Sequence, residues 1–145
     1  MNNTTTLIFY RAETGNLLDK TVSYFDKGPY SHVEIVLEEN ETSWKTVGSS
    51  NRDGGVRVRT IYKSDHWDTV VINKTPIVDY HELLGAKYDW IGLGHTIWIW
   101  WPTTNGKYVC STFAAELFGI DYPKEQGVHD FFLWAKSREI KLLLE

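Results

Sequence analysis

The chain has 145 residues, of which 42% are hydrophobic and 23% are charged, and its formal net charge is −4. This length suits one domain with its own core, and we expect a single domain over residues 1–145. The composition is that of a folded protein rather than a disordered one. Negative charge and the lack of a basic run argue against a nucleic-acid partner.

The ends and the cysteine count bear on location. A single cysteine excludes an internal disulfide. The opening residues, Met-Asn-Asn-Thr-Thr-Thr, lack the charged and apolar segments of a signal peptide, so we expect synthesis in the cytoplasm. The aromatic run Ile97–Trp101 is too short to cross a bilayer, and we expect its rings to pack in the core rather than touch a membrane.

Short apolar or alternating runs, separated by turn residues, predict strands in the first half of the chain. The clearest has valine, isoleucine and leucine on one face and histidine and glutamate on the other. The strands are expected at Leu7–Tyr10, Ser31–Glu38, Trp44–Ser49, Val56–Ile61 and Thr69–Ile72.

Helical spacing of apolar residues appears once between the first two strands and dominates the second half. We therefore expect an α+β fold, with a small antiparallel sheet packed against helices. The helices are expected at Leu17–Lys27, Val78–Leu84, Trp90–Trp101, from about Cys110 to Gly119, and at Val128–Lys136.

Cys110 is the first candidate for chemistry because it is expected in the first turn of a helix. The unpaired N–H groups and the positive end of the helix dipole would stabilise an anion there, which suits a nucleophilic thiolate. Buried free cysteines are nevertheless common, so a packed, inert thiol is the alternative. A cysteine hydrolase would also need a base beside the thiol and a third group to orient that base.

The chain has five histidines, and one of them stands out as a base. It opens a predicted strand, whose rigid end would hold the ring well, whereas the others lie in a loop or in predicted helices. Their spacing contains no zinc motif, so we expect no metal and no cofactor. The preferred residue is His32, ahead of His66, His81, His95 and His129.

Two residues are candidates to orient His32. Glu34 lies two residues further along the strand and shares its face, and a carboxylate there needs a partner if it is buried. Its alternative is an ordinary salt bridge on an edge strand. Ser49, at the end of the next strand, could hold an imidazole tautomer but could not stabilise its charge. The residues around Ser49 also suit a turn.

Three motifs in order resemble one family. They are Pro29-Tyr30-Ser31-His32-Val33 before an apolar strand, Gly54-Gly55-Val56 after a hairpin, and Tyr108-Val109-Cys110-Ser111 opening a helix. Over about Leu7 to Gly119 the chain resembles the permuted NlpC/P60 cysteine hydrolases of the YiiX/YaeF type, a papain-like group. Its sequence is most similar to that of bacteriophage-borne members.

The resemblance implies a circularly permuted papain-like core, in which a small sheet or half-barrel packs on helices. It implies Cys110 as nucleophile, His32 as base and then acid, and a thioester intermediate, with a small-molecule, peptide or peptidoglycan substrate. A phage-encoded member would act in the host cytoplasm or the virion. The family's third polar residue falls near Gly48 or Ser49, so either Ser49 or Glu34 serves, or the triad is incomplete.

Three functions follow as expectations. The first is a cysteine amidase, peptidase or esterase. The second is a binding module on the same fold without catalysis, and the third is a lipid acyltransferase, which only the aromatic run Trp98–Trp101 suggests. The sequence predicts no oligomeric state.

Overall fold

The structure is a computed structural model and describes residues 3–11, 29–50, 55–86, 110–121 and 127–140. The helices expected at Leu17–Lys27 and Trp90–Trp101 lie outside these residues. The described residues contain five strands, which confirm the five expected ones, and each is longer than predicted. Their bounds are β1 Thr5–Arg11, β2 Tyr30–Glu39, β3 Ser43–Ser50, β4 Gly55–Tyr62 and β5 Trp67–Ile72.

The strands form one antiparallel sheet in the order β4-β3-β2-β1-β5. A short hairpin joins β2 to β3, β3 pairs with β4, and β1 lies between β2 and β5. The central position therefore belongs to β2, the strand that carries the candidate histidine and glutamate. Side chains in the middle of this strand have strands on both sides and can be buried on either face.

Two helices are described, α1 at Cys110–Leu117 and α2 at Val128–Lys136, and both pack against the sheet. The fold of the described residues is thus α+β, as expected: a five-stranded antiparallel sheet with two helices against it. The core between the layers is apolar and includes Leu7, Phe9, Val33, Ile35, Val47, Phe113 and Phe131. The opposite face of the sheet has a smaller cluster of Ile8, Trp44 and Ile61.

The end of α1 is set by Gly119, as its sequence suggested. Gly119 has a φ of 67°, a left-handed conformation that glycine adopts without strain. Its N–H donates to the Glu116 carbonyl (3.2 Å), and the Ile120 N–H donates to the Ala115 carbonyl (3.1 Å). This pair of bonds satisfies the last carbonyls of the helix, so α1 is a short, sharply ended helix with Cys110 as its first residue.

The helix expected at Val78–Leu84 is wrong. The segment forms only a one-turn 3₁₀-helix at Tyr80–Glu82, and none of its residues is buried. The Asp79 carboxylate accepts the His81 N–H at 3.0 Å, and this local bond favours a turn. Gly85 then takes a φ of 86° and donates to the Val56 carbonyl (3.0 Å), which ties the chain to β4 before a helix can continue.

Candidate functional site

His32 and Glu34 lie on one face of the central strand, as the alternation of β2 predicted. The Nε2 atom of His32 is in direct ionic contact with the Oε2 atom of Glu34. The Glu34 side chain is completely buried, whereas 21% of the His32 side chain is exposed. The expectation that Glu34 could instead be a surface ion pair on an edge strand is wrong, because β2 is the middle strand and the carboxylate has no access to solvent.

The Glu34 carboxylate is fully engaged by its neighbours. Its Oε1 atom accepts from the Thr46 hydroxyl (2.8 Å) on β3 and from Nη1 of Arg57 (2.8 Å) on β4, and that same Nη1 is 3.0 Å from Oε2. A buried carboxylate needs such partners, since an unpaired buried charge is very costly. Three strands therefore hold one carboxylate and leave its Oε2 atom facing His32.

Room for the carboxylate comes from Gly48. A Cβ atom built on this residue would lie 2.6 Å from the Glu34 Cδ atom and 2.9 Å from its Oε1 atom, closer than such atoms approach. The sheet register explains the contact, because Ile35 pairs with Val47 and Val36 with Thr46, which brings Gly48 opposite Glu34. The carboxylate occupies the space that any side chain at position 48 would need.

Cys110 reaches the same histidine from the helix layer. It is the first residue of α1 and is 5% exposed. It lies close enough to His32 to act, through its charge and a hydrogen bond, among the causes that raise the pKa of the ring. Because Glu34 engages Nε2, the nitrogen that remains for the thiol is Nδ1. The structure thus joins the His32 imidazole to the Glu34 carboxylate and brings Cys110 near the same ring.

The electrostatics of the site formed by Cys110, His32 and Glu34 favour a charged histidine. Burial of the ring opposes its charge, but the negative charges of Cys110 and Glu34 and their hydrogen bonds outweigh it and raise the pKa of His32 to about 10. Burial likewise opposes ionisation of Glu34, yet His32 and Arg57 hold the pKa of its carboxyl below the ordinary value. The charged form of His32 is therefore favoured beside the Glu34 carboxylate at neutral pH.

Ser49, the second candidate for orienting His32, is fully buried in β3. Its backbone pairs with Val56, and the neighbouring pair is Gly48 with Arg57. Since successive side chains alternate between faces, Ser49 points to the face of Val47 and Val56, and Gly48 to the face of Glu34. The geometry thus brings Glu34, and not Ser49, to Nε2 of His32.

The remaining histidines lie in turns, in α2 or outside the described residues. His66 is exposed in the turn before β5, and His81 is exposed in the 3₁₀ turn with its Nδ1 atom 2.7 Å from Asp79. His129 lies in α2. His95 lies outside the described residues. Within the described ranges, no group of three or more histidine, cysteine or acidic side chains could hold a metal ion.

Sequence reasoning missed the three residues that support Glu34, namely Thr46, Gly48 and Arg57. A partial signal was available, because valine and arginine alternate along Val56–Arg59 and place arginines on one face of β4. The need of a buried carboxylate for a partner was also clear. What could not be derived was the register that puts this face of β4 beside Glu34.

Comparison with known proteins does not place the chain in a family. No family model matches the chain, and no curated protein matches it well enough to be counted as a relative. None of the described helices has the length and apolar character needed to cross a membrane. The geometry of the site is therefore the feature that points to a function.

Proposed function

We propose that this chain is a cysteine hydrolase that cleaves an amide or ester through a thioester on Cys110. The observation that carries the proposal is the contact of His32 with the buried Glu34 carboxylate, which Arg57 also holds, together with Cys110 near enough to raise the pKa of the same ring. A nucleophile, a base in contact with it and a third group that orients the base are the parts that covalent acyl transfer needs.

Each residue has a defined role in the reaction. The Cys110 sulfur attacks the carbonyl carbon, and the electron pair of the C=O bond moves to oxygen. The N–H groups in the first turn of α1, which have no partner within the helix, are the proposed donors to this oxyanion. His32, protonated at Nδ1, gives its proton to the leaving nitrogen or oxygen, the C–N or C–O bond breaks, and a thioester remains.

The second half of the reaction reverses the proton transfer. Neutral His32 takes a proton from water, whose oxygen attacks the thioester carbon. The C–S bond then breaks, the acid leaves, and the thiolate–imidazolium pair is restored. Glu34 does not exchange a proton in either half. It fixes the ring and stabilises the imidazolium that exists before acylation and during deacylation.

Two features support the resemblance to permuted papain-like NlpC/P60 hydrolases as part of this proposal. The histidine strand precedes the cysteine helix in the chain, and the sheet is small and antiparallel. The third residue differs from the implied pattern. Glu34 lies on the histidine's own strand, and its carboxylate fills the space beside Gly48. Peptides, including those of peptidoglycan, and small acyl compounds are the proposed substrates.

The proposal is tested by the rate at which iodoacetamide alkylates Cys110 at neutral pH. We expect faster alkylation than for a free model thiol, and a clear loss of rate in His32→Ala. A matched control is His81→Ala, which removes an exposed histidine that also pairs with an aspartate. Alkylation that is slow in the wild type and unchanged in His32→Ala would refute the enzyme proposal and favour a binding module.

A further inference from the structure

The Arg57 side chain makes three contacts through one nitrogen atom. Its Nη1 is 2.8 Å from Oε1 of Glu34, 3.0 Å from Oε2, and 3.0 Å from the carbonyl oxygen of Gly48. The side chain is only 16% exposed. An arginine anchored at the same time to a carboxylate and to a backbone carbonyl has little freedom to move, because its guanidinium is planar and its donors are fixed in direction.

These contacts determine how the Glu34 carboxylate is rotated. Oε1 receives both the Thr46 hydroxyl (2.8 Å) and Arg57, so it is occupied on the side of β3 and β4. Oε2 is left to face His32. The charged groups that meet at this carboxylate are His32 from its own strand and Arg57 from β4.

We propose that Arg57 is a positioning residue, which fixes the direction of the Glu34 carboxylate and thereby the orientation in which His32 meets Cys110. This inference rests on the proposed function, because it concerns the same site. It goes beyond that function by extending the machinery to a second strand pair and a fourth residue. It also explains why Nη1 of Arg57 donates both to the Gly48 carbonyl and to the Glu34 carboxylate. The carbonyl anchors the arginine that the carboxylate needs.

The alternative role for Arg57 is to balance a buried charge without affecting the histidine. The two roles differ in the single variant, because only a positioning residue changes the reactivity of Cys110 when it is removed. A double-mutant cycle then shows whether this effect passes through Glu34. The cycle uses Arg57→Met, Glu34→Gln and the double variant. Arg57→Lys tests rescue by a second cation, and Lys63→Met, which removes the exposed pair with Glu39, is the matched control.

The measurement is the alkylation rate of Cys110 by iodoacetamide at neutral pH, with thermal unfolding to confirm that each variant is folded. We expect Arg57→Met to be slower than the wild type by about tenfold, equivalent to about 1.4 kcal/mol. Arg57→Lys should lie between the two, Lys63→Met should equal the wild type, and the double variant should be no slower than Glu34→Gln alone.

Two results would overturn the role of Arg57. One is an Arg57→Met rate equal to that of Lys63→Met, and the other is a double variant clearly slower than Glu34→Gln. If Arg57→Met does not fold, Arg57→Lys takes its place, and a rate equal to that of Lys63→Met would then overturn the role. A wild-type rate no higher than that of His32→Ala would instead remove the proposed function, so the two failures are distinguishable.

Discussion

Replacing Glu34 by glutamine changes the charge at the centre of the site and leaves its shape almost intact. Glutamine can still accept from Thr46 or Arg57, but it gives Arg57 no counter-charge and gives His32 no anion. Removing one partner of a buried ion pair costs about 3–5 kcal/mol, and the hydrogen bonds that glutamine retains place this variant near the lower end. For a chain of this size, the melting temperature should fall by about 2–4 °C for each kcal/mol.

The same substitution should also change the titration of His32. In the wild type, Cys110 and Glu34 hold the ring charged and raise its pKa to about 10. A group with a raised pKa in the folded state adds stability that is complete below its ordinary pKa and is lost as the pH rises through the folded value. Without the Glu34 charge, the ring should lose its proton at a lower pH, and this part of the stability should disappear earlier.

The assays are thermal unfolding at neutral pH and an NMR titration of the His32 ring protons, assigned by their absence in His32→Ala. Glu39→Gln is the matched control, because Glu39 lies on the same strand and pairs with Lys63 at the surface. We expect the control to change stability by no more than about 1 kcal/mol, as is usual for exposed pairs. Equal effects of the two substitutions, or an unchanged titration of His32, would refute the reasoning.

Two further predictions concern the same carboxylate. Gly48→Ala should slow alkylation of Cys110 by about tenfold or more, because a shift of the Glu34 carboxylate would weaken its charge-assisted bond to His32. Circular dichroism checks that the variant is folded. Alkylation at the wild-type rate would contradict the close packing of Gly48 against Glu34. His32 and Arg57 hold the pKa of Glu34 in the folded protein below its ordinary value. The ionised carboxylate therefore stabilises the fold at any pH above the ordinary pKa, and this stabilisation is lost as the pH falls through the pKa of the folded state. Chemical unfolding between neutral and acidic pH should therefore show a steeper loss in the wild type than in Glu34→Gln, and parallel curves would contradict it.

The sheet was predictable because its strands carry strong local signals. In β2 the alternation of Val33, Ile35 and Leu37 with polar residues predicted both the strand and the shared face of His32 and Glu34, and both are confirmed. The final helix was predicted with its bounds. The segment Val78–Leu84 was not, because apolar spacing alone does not make a helix when no residue of the segment is buried and a local aspartate favours a turn.

Some residues of the candidate site were predictable from the sequence and others were not. Cys110, His32 and Glu34 could be named from local context, since each depends on its position within one element. The choice between Glu34 and Ser49 could not be made, because it depends on which face each residue occupies in the assembled sheet. The role of Arg57 depends on the register of β3 against β4, which pairs Gly48 with Arg57 and which no local pattern states.

The central claim is that Cys110 forms a covalent acyl-enzyme with help from His32, and the most direct measurement is the intact mass of the protein mixed with an activated acetyl ester. We predict a transient increase in mass of one acetyl group, located on Cys110. It should be absent in Cys110→Ser and should build up and decay more slowly in His32→Ala, with a general-base effect of about 10²–10⁴-fold. Acetylation that occurs equally in His32→Ala, or a wild-type protein whose Cys110 stays unmodified, would contradict the account.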